Sequence, residues 1–176
     1  MLIIFFDTEF TDLSIDPRLI SIGLVSEDGL EFYAELSDTY DMPDCGFFAL
    51  EAVLPQLEGG AALMKIADLR ICLGSWLKGF NQPVKLATDS EAWDWPWIHE
   101  LFDNEYAIWP ENLDGKPLLL SINYINQMDI FNETVENAFA SGLRRHHALD
   151  DAKANRLGWL ASEAVRNDSG SDCEAP

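Results

Sequence analysis

The segment Asp7-Thr8-Glu9 holds two carboxylates at i and i+2. On an extended strand both side chains leave the same face. Held that close they repel, unless a cation sits between them. Ligand sets made only of oxygen suit Mg²⁺ or Mn²⁺. A third acidic position is Asp94, within Trp93-Asp94-Trp95-Pro96-Trp97 at an expected helix start. Its plain reading is a carboxylate favoured by the helix dipole, and its chemical reading is a third metal ligand. Asp89 competes for that ligand role, and Asp89 or Ser90 also suits the helix N-cap. The last piece is His146-His147-Ala148-Leu149-Asp150-Asp151. Asp150 and Asp151 complement the dipole of the helix they open. A loop histidine beside a carboxylate, with a free pKa near neutrality, suits general-base chemistry.

These positions need a scaffold. Leu2 to Phe6 is a continuous apolar run and reads as a buried strand that ends at Asp7. Leu19 to Val25 and Leu30 to Leu36 read as two more strands, joined by the turn Glu27-Asp28-Gly29, so three antiparallel strands open the chain. Phe47 to Leu57 and Ala61 to Phe80 carry apolar residues at helical spacing, with Cys72 expected in the core and Gly59-Gly60 between the two helices. Val84 to Ala87 reads as a strand, Ser90 to Phe102 as a helix with Pro96 as a complication, and Leu118 to Ile122 as a short strand. Asn126 to Ala140 and Ala148 to Val165 read as helices. That order predicts an α/β fold, a mixed sheet with helices packed on its faces.

The chain of 176 residues suffices for one domain with a full core, expected over 1–166. The stretch from Asn167 to Pro176 lacks large apolar residues and reads as a disordered acidic tail. Three unpaired, widely spaced cysteines argue against a disulfide framework or a zinc knuckle. The apolar start stops at Asp7, too early for a signal or a membrane span. The expectation is a cytoplasmic protein without a membrane partner. With 31 acidic and 11 basic residues the formal net charge is −20, which argues against a protein that grips long nucleic acid by neutralising phosphates. An enzyme that takes only a chain end remains compatible, because bound divalent cations would invert the local charge.

Taken together and in this order, the three pieces resemble the DEDD exonucleases of the ribonuclease H-like fold, in the branch that uses a histidine. Asp7 and Glu9 match the first motif, Asp94 after Trp93 the second, and His146 with Asp151 the third. Asp7-Thr8-Glu9-Phe10-Thr11-Asp12-Leu13 looks like the opening of oligoribonuclease and of small bacterial exoribonucleases. The resemblance runs over Met1 to Val165. The chain departs from it at Asp12, where the family usually has Gly, and at Ser90, which stands four positions before Asp94.

The resemblance implies a ribonuclease H-like mixed sheet of five or six strands and a metal-dependent 3′→5′ exonuclease that releases 5′ mononucleotides. It implies two divalent cations, Mg²⁺ or Mn²⁺, on Asp7, Glu9, Asp94 and Asp151, with His146 as general base. Phe10 and Leu13 would pack on terminal bases, Thr11 would bond the terminal sugar, and Arg145 beside Arg144 would contact phosphate. For Phe10 the alternative is core burial, and for the two arginines an exposed loop. The implied partners are single-stranded 3′ ends, RNA before DNA, and a second copy of the chain. The competing readings are a proofreading-type DNA exonuclease and a catalytically silent binding relative.

Overall fold

The computed structural model describes residues 1–103, 108–120 and 125–170. Three antiparallel strands open the fold: β1 (Leu2–Phe10), β2 (Leu19–Ser26) and β3 (Glu31–Leu36). They are followed by β4 (Leu63–Met64), α1 (Ile66–Gly79), β5 (Val84–Thr88), α2 (Glu91–Phe102), β6 (Leu118–Leu119), α3 (Ile125–Ala140) and α4 (Ala148–Gly170). The sheet order is β4-β3-β2-β1-β5-β6, with β5 parallel to β1, β6 parallel to β5 and β4 parallel to β3. The mixed six-stranded sheet with helices is the α/β architecture expected, and it is consistent with a ribonuclease H-like arrangement.

β1 is central, and its alternation sorts the molecule into two layers. Ile4 and Phe6 join the larger core under α1 and α2, with Leu69, Leu73, Leu77, Trp97 and Ile98. Phe5 points the other way and packs with Val25, Ala87, Phe131 and Ala152 under α3 and α4. Asp7 and Glu9 share Phe5's face by the same alternation, so they look toward α4. β1 also runs four residues past Phe6, because Asp7 to Phe10 pair with β2 as far as Leu19. A register shift between Glu9 and Phe10 ends the regular ladder there.

Gly23 decides how closely α4 approaches. It pairs with Asp7. A Cβ on it would stand 2.1 Å from Leu149 N and 2.4 Å from the Ala148 carbonyl carbon. The N-terminus of α4 therefore lies directly on β2, with Asp151 beside the end of β1. Gly158 lets the same helix approach α3, where a Cβ would meet the Phe131 ring at 2.8 Å.

Several local expectations are corrected. Phe47 to Leu57 is not one helix but a π-turn over Ala49–Val53 and a 3-10 turn over Leu54–Gln56. Pro55 has no N–H to continue a helical ladder. The second helix begins at Ile66 rather than Ala61, because Leu63–Met64 pairs with β3 and Asp38 Oδ1 accepts the Ile66 N–H at 2.9 Å from across the chain. Cys72 and Ile71 are exposed; the buried stripe of α1 is Leu69, Leu73 and Leu77. α2 runs unbroken through Pro96, which lies on its exposed side. α4 spans Ala148–Gly170, and 171–176, the rest of the expected tail, lie outside the described residues. The strand expected to reach Ile122 is seen as Leu118–Leu119, and Ser121 and Ile122 also lie outside them. No helix among the described residues is long and apolar enough to cross a membrane.

Gly23→Ala should push the start of α4 off the sheet. The expected loss is about 1–3 kcal/mol of folding stability, the usual cost of overpacking. Stabilisation by added Mn²⁺ should shrink with it, because Asp151 moves. Thermal melts with and without Mn²⁺ measure both, and a variant that melts and responds like the parent refutes the account.

Candidate active site

Asp7 and Glu9 stand at the end of β1, facing α4 as their spacing predicts. Asp151 comes from the first turn of α4, and its Oδ2 accepts the His147 N–H at 3.1 Å. His146 sits on the preceding loop with φ +64, a left-handed backbone uncommon outside glycine. That turn brings its ring to Glu9 and Asp151: one ligand atom from each of the three lies within 4.8 Å of the others.

A second group forms at the adjoining strand end. Asp7, Asp89 and Asp94 each offer an oxygen within 4.8 Å of the other two. Asp89 and Asp94 are therefore neighbours rather than alternatives. Asp94 is 2% exposed, in the first turn of α2. Its Oδ1 accepts the Thr8 hydroxyl at 2.6 Å and the Thr8 N–H at 3.2 Å, and its Oδ2 accepts the Thr88 hydroxyl. Thr8 sits between the two carboxylates of β1 but faces the opposite layer, so it ties α2 to the strand that carries them.

Crowding shows in the protonation of these groups. Burial, then the neighbouring Asp94, Glu9, Asp151 and Asp89, hold the Asp7 carboxyl well above its ordinary value. Burial, then Asp151 and Asp94, push Glu9 up to about 8. Asp151 rises to about 7, through burial against the opposing pull of the His146 and His147 N–H groups. Asp94 rises only to about 6, because the two threonine hydroxyls offset part of its burial. Like charges gathered this way accept a cation readily, and an all-carboxylate set with one imidazole suits a hard divalent ion. The donors fit Mg²⁺ or Mn²⁺.

His146 is half-buried, and burial followed by the Arg145 charge lowers its pKa. It is therefore neutral near pH 7 and able to accept a proton. Its neighbour His147 is buried, stacked on Tyr33 at 4.4 Å, with Nδ1 accepting the Asp150 N–H. His147 thus belongs to a supporting layer. Arg144 donates to Asp150 Oδ2 at 2.7 Å and to Glu58 Oε1 at 2.8 Å. Buried Glu35 accepts the N–H groups of Glu58 and Gly59. This chain of contacts ties the His146 loop to residues 56–59.

The remaining sequence candidates fall out as follows. Phe10 stacks on Trp93 at 5.9 Å and also borders an apolar cleft of about 390 Å³ beside Glu9, so core packing and the surface share it. Leu13 is exposed at the rim of that cleft. Thr11 is 1% exposed, and its hydroxyl accepts the Arg18 N–H at 2.9 Å. It closes the loop after β1 and also lines that cleft. Arg145 is exposed but bound to both Glu136 oxygens and lies over the Phe139 ring.

Sequence reading missed Thr8, Thr88, Gly23 and the pair Phe47-Phe48. The threonines gave a faint signal by standing beside acidic motif residues. Phe47 and Phe48 line the cleft and read as helix core because they open an apolar run.

Two proteins of Mycobacterium tuberculosis are similar to this chain, one from strain CDC 1551 / Oshkosh and one from strain ATCC 25618 / H37Rv. Each is named 3′-5′ exoribonuclease and is 36% identical over 94 residues, which take in 52% of this chain and 52% of the relative. The chain thus matches about half the length of these curated relatives. No family model matches.

The raised carboxyls give the metal-free protein a pH-dependent stability. Between their ordinary values and about 8, the folded state holds protons that the unfolded chain has lost, so stability falls as pH rises. The two histidines, lowered from 6.5, act in the opposite sense only below that value. The clean window is therefore about pH 6.5 to about pH 8. Urea unfolding across it should show falling stability in chelator and a much flatter profile in Mn²⁺. Rising stability in chelator would contradict the crowded site.

Proposed function

We propose that the chain is a metal-dependent 3′→5′ exoribonuclease that removes 5′ mononucleotides from single-stranded RNA ends. The observation that carries this reading is the meeting of Asp7, Glu9, Asp89, Asp94 and Asp151 around one strand end, beside His146, from chain segments far apart in sequence. The names of the two mycobacterial relatives support RNA and the 3′→5′ direction.

Asp7, Glu9, Asp94 and Asp151 would hold two divalent cations, with Asp89 at hand near Asp7 and Asp94. Bound there, such ions supply Lewis-acid activation of water and neutralise charge on the leaving oxygen. His146 takes the proton from the attacking water. Thr8 and Thr88 keep Asp94 oriented toward Asp7, and the Asp150–Arg144–Glu58 contacts hold the His146 loop in place. The apolar cleft beside Glu9 takes the terminal base, where stacking is worth roughly 1–3 kcal/mol per base.

A short grip on a chain end also suits the charges. Arg144 and Arg145, next to His146, are both engaged with acidic groups. Lengthy tracking along a phosphate backbone would need free cations instead.

The test is incubation of 5′-labelled RNA and matched DNA oligonucleotides with Mn²⁺. The expected ladder shortens one nucleotide at a time from the 3′ end, faster on RNA. Asp7→Asn should abolish it. His146→Ala should slow kcat by roughly 10²–10⁴-fold, the span of a lost general base, while Mn²⁺ still raises the melting temperature. Intact RNA after prolonged incubation with Mn²⁺ or Mg²⁺ defeats the reading, and faster loss of DNA replaces RNA as the substrate.

A further inference from the structure

Phe47 and Phe48 stand next to each other on the segment that follows Gly46, 80% and 58% exposed. Their place is fixed from below. Gly46 donates its N–H to Thr11 O at 2.9 Å, and a Cβ there would press on Asp12 Cβ at 3.1 Å. The aromatic pair is therefore fastened to the loop that leaves β1. Together with Phe10 and Leu13 it walls the cleft that opens on Glu9. At about 390 Å³ the cleft falls within the range of small-molecule sites, about 300–1,000 Å³.

The two rings differ in one respect. Phe48 meets the His146 ring edge-on, with centroids 4.8 Å apart and planes at 82°. Among the described residues no such ring contact joins Phe47 to His146. One wall of the cleft thus touches the imidazole, which sits on a left-handed backbone turn beside Glu9 and Asp151.

We propose that Phe48 is a positioning residue: its ring is shared by the cleft and by His146, so a nucleobase seated in the cleft fixes the imidazole for proton transfer. This rests on the nuclease reading above. A base that stacks in the cleft presses the Phe48 ring toward His146 and narrows the imidazole's range of orientation. Small misplacements of a catalytic group cost heavily in turnover, so the effect belongs in kcat. Phe47 grips the base without that link, and its effect belongs in KM.

The experiment compares two 5′-labelled RNAs in Mn²⁺, one ending in an ordinary 3′ nucleotide and one in an abasic 3′ nucleotide. The parent protein should cleave the abasic end with a kcat roughly ten- to a hundredfold lower. Phe48→Leu keeps an apolar side chain but no ring edge; it should lower kcat on the ordinary end toward the abasic value, with KM changed little. Phe48→Tyr should restore the parent's kcat. Phe47→Ala should raise KM and keep the kcat gap between the two ends. Melting temperatures near the parent's confirm that each variant is folded.

A change in KM alone for Phe48→Leu, equal behaviour of Phe47→Ala and Phe48→Leu, or equal kcat at both ends in the parent would each overturn the coupling while leaving the nuclease reading intact. Absence of Mn²⁺-dependent cleavage by the parent at either end overturns both.

Discussion

Repulsion among carboxylates is the constraint around which the rest is built. Five acidic side chains gather at the end of β1, and burial and neighbouring charge oppose the ionisation of Asp7, Glu9, Asp94 and Asp151. Left alone, such a cluster would spread or protonate. Rigid backbone holds it together. Asp7 and Glu9 are fixed by a strand bonded on both sides at its start and along β2 to its end. Asp94 is pinned by two threonine hydroxyls and one N–H. Asp151 rides on a helix whose N-terminus cannot retreat, because it is packed on Gly23. Stability is spent to keep groups apart from water and close to one another, which marks a site rather than a surface.

The site draws on both layers of the sheet. Asp7, Glu9, His146 and Asp151 belong to the α4 side, whereas Thr8, Thr88 and Asp94 belong to the α2 side. Thr8 is the hinge between them, since alternation along β1 sends its side chain away from its two acidic neighbours. Behind His146 a further layer runs from Glu35 through Glu58, Arg144 and Asp150 to His147. Glu35, His147 and Asp150 are buried, whereas Arg144 and Glu58 reach the surface, so the paired charges link the buried layer to solvent. That layer explains why the segment 46–59, short of regular structure, still holds a defined place.

The strands were readable because their signals are local. Leu2 to Phe6, Leu19 to Val25 and the Glu27-Asp28-Gly29 turn carry run, alternation and turn chemistry within a few residues. The acidic motifs were readable because their residue types and order are distinctive. What escaped depends on distant partners. α1 starts where Asp38, 28 positions away in sequence, reaches its first N–H groups. Phe47 to Leu57 has helical spacing, but the segment folds as a π-turn and then a 3-10 turn at Pro55, with Gly46 bonded to Thr11. Cys72 looks apolar in one dimension and faces outward in three. Thr11 reads as a ligand from its place in the motif, and its hydroxyl also accepts the Arg18 N–H from seven positions on. Asp89 and Asp94 competed in sequence because proximity through the fold cannot be seen there.

A net charge of −20 at first opposes any dealing with a polyanion. Two features resolve the conflict. The carboxylate cluster is the place where divalent ions would concentrate positive charge, so attraction is confined to the strand end. Next to it lies an apolar cleft with aromatic walls, whose affinity for a base owes little to charge. Counterion release cannot drive such binding over a long duplex or strand. On the proposed nuclease reading it would serve a single terminal nucleotide, one phosphate meeting the ions and one base meeting Phe10, Leu13 and the Phe47-Phe48 pair. On that reading the acidic surface would act as a filter, turning away the body of a nucleic acid and admitting its end.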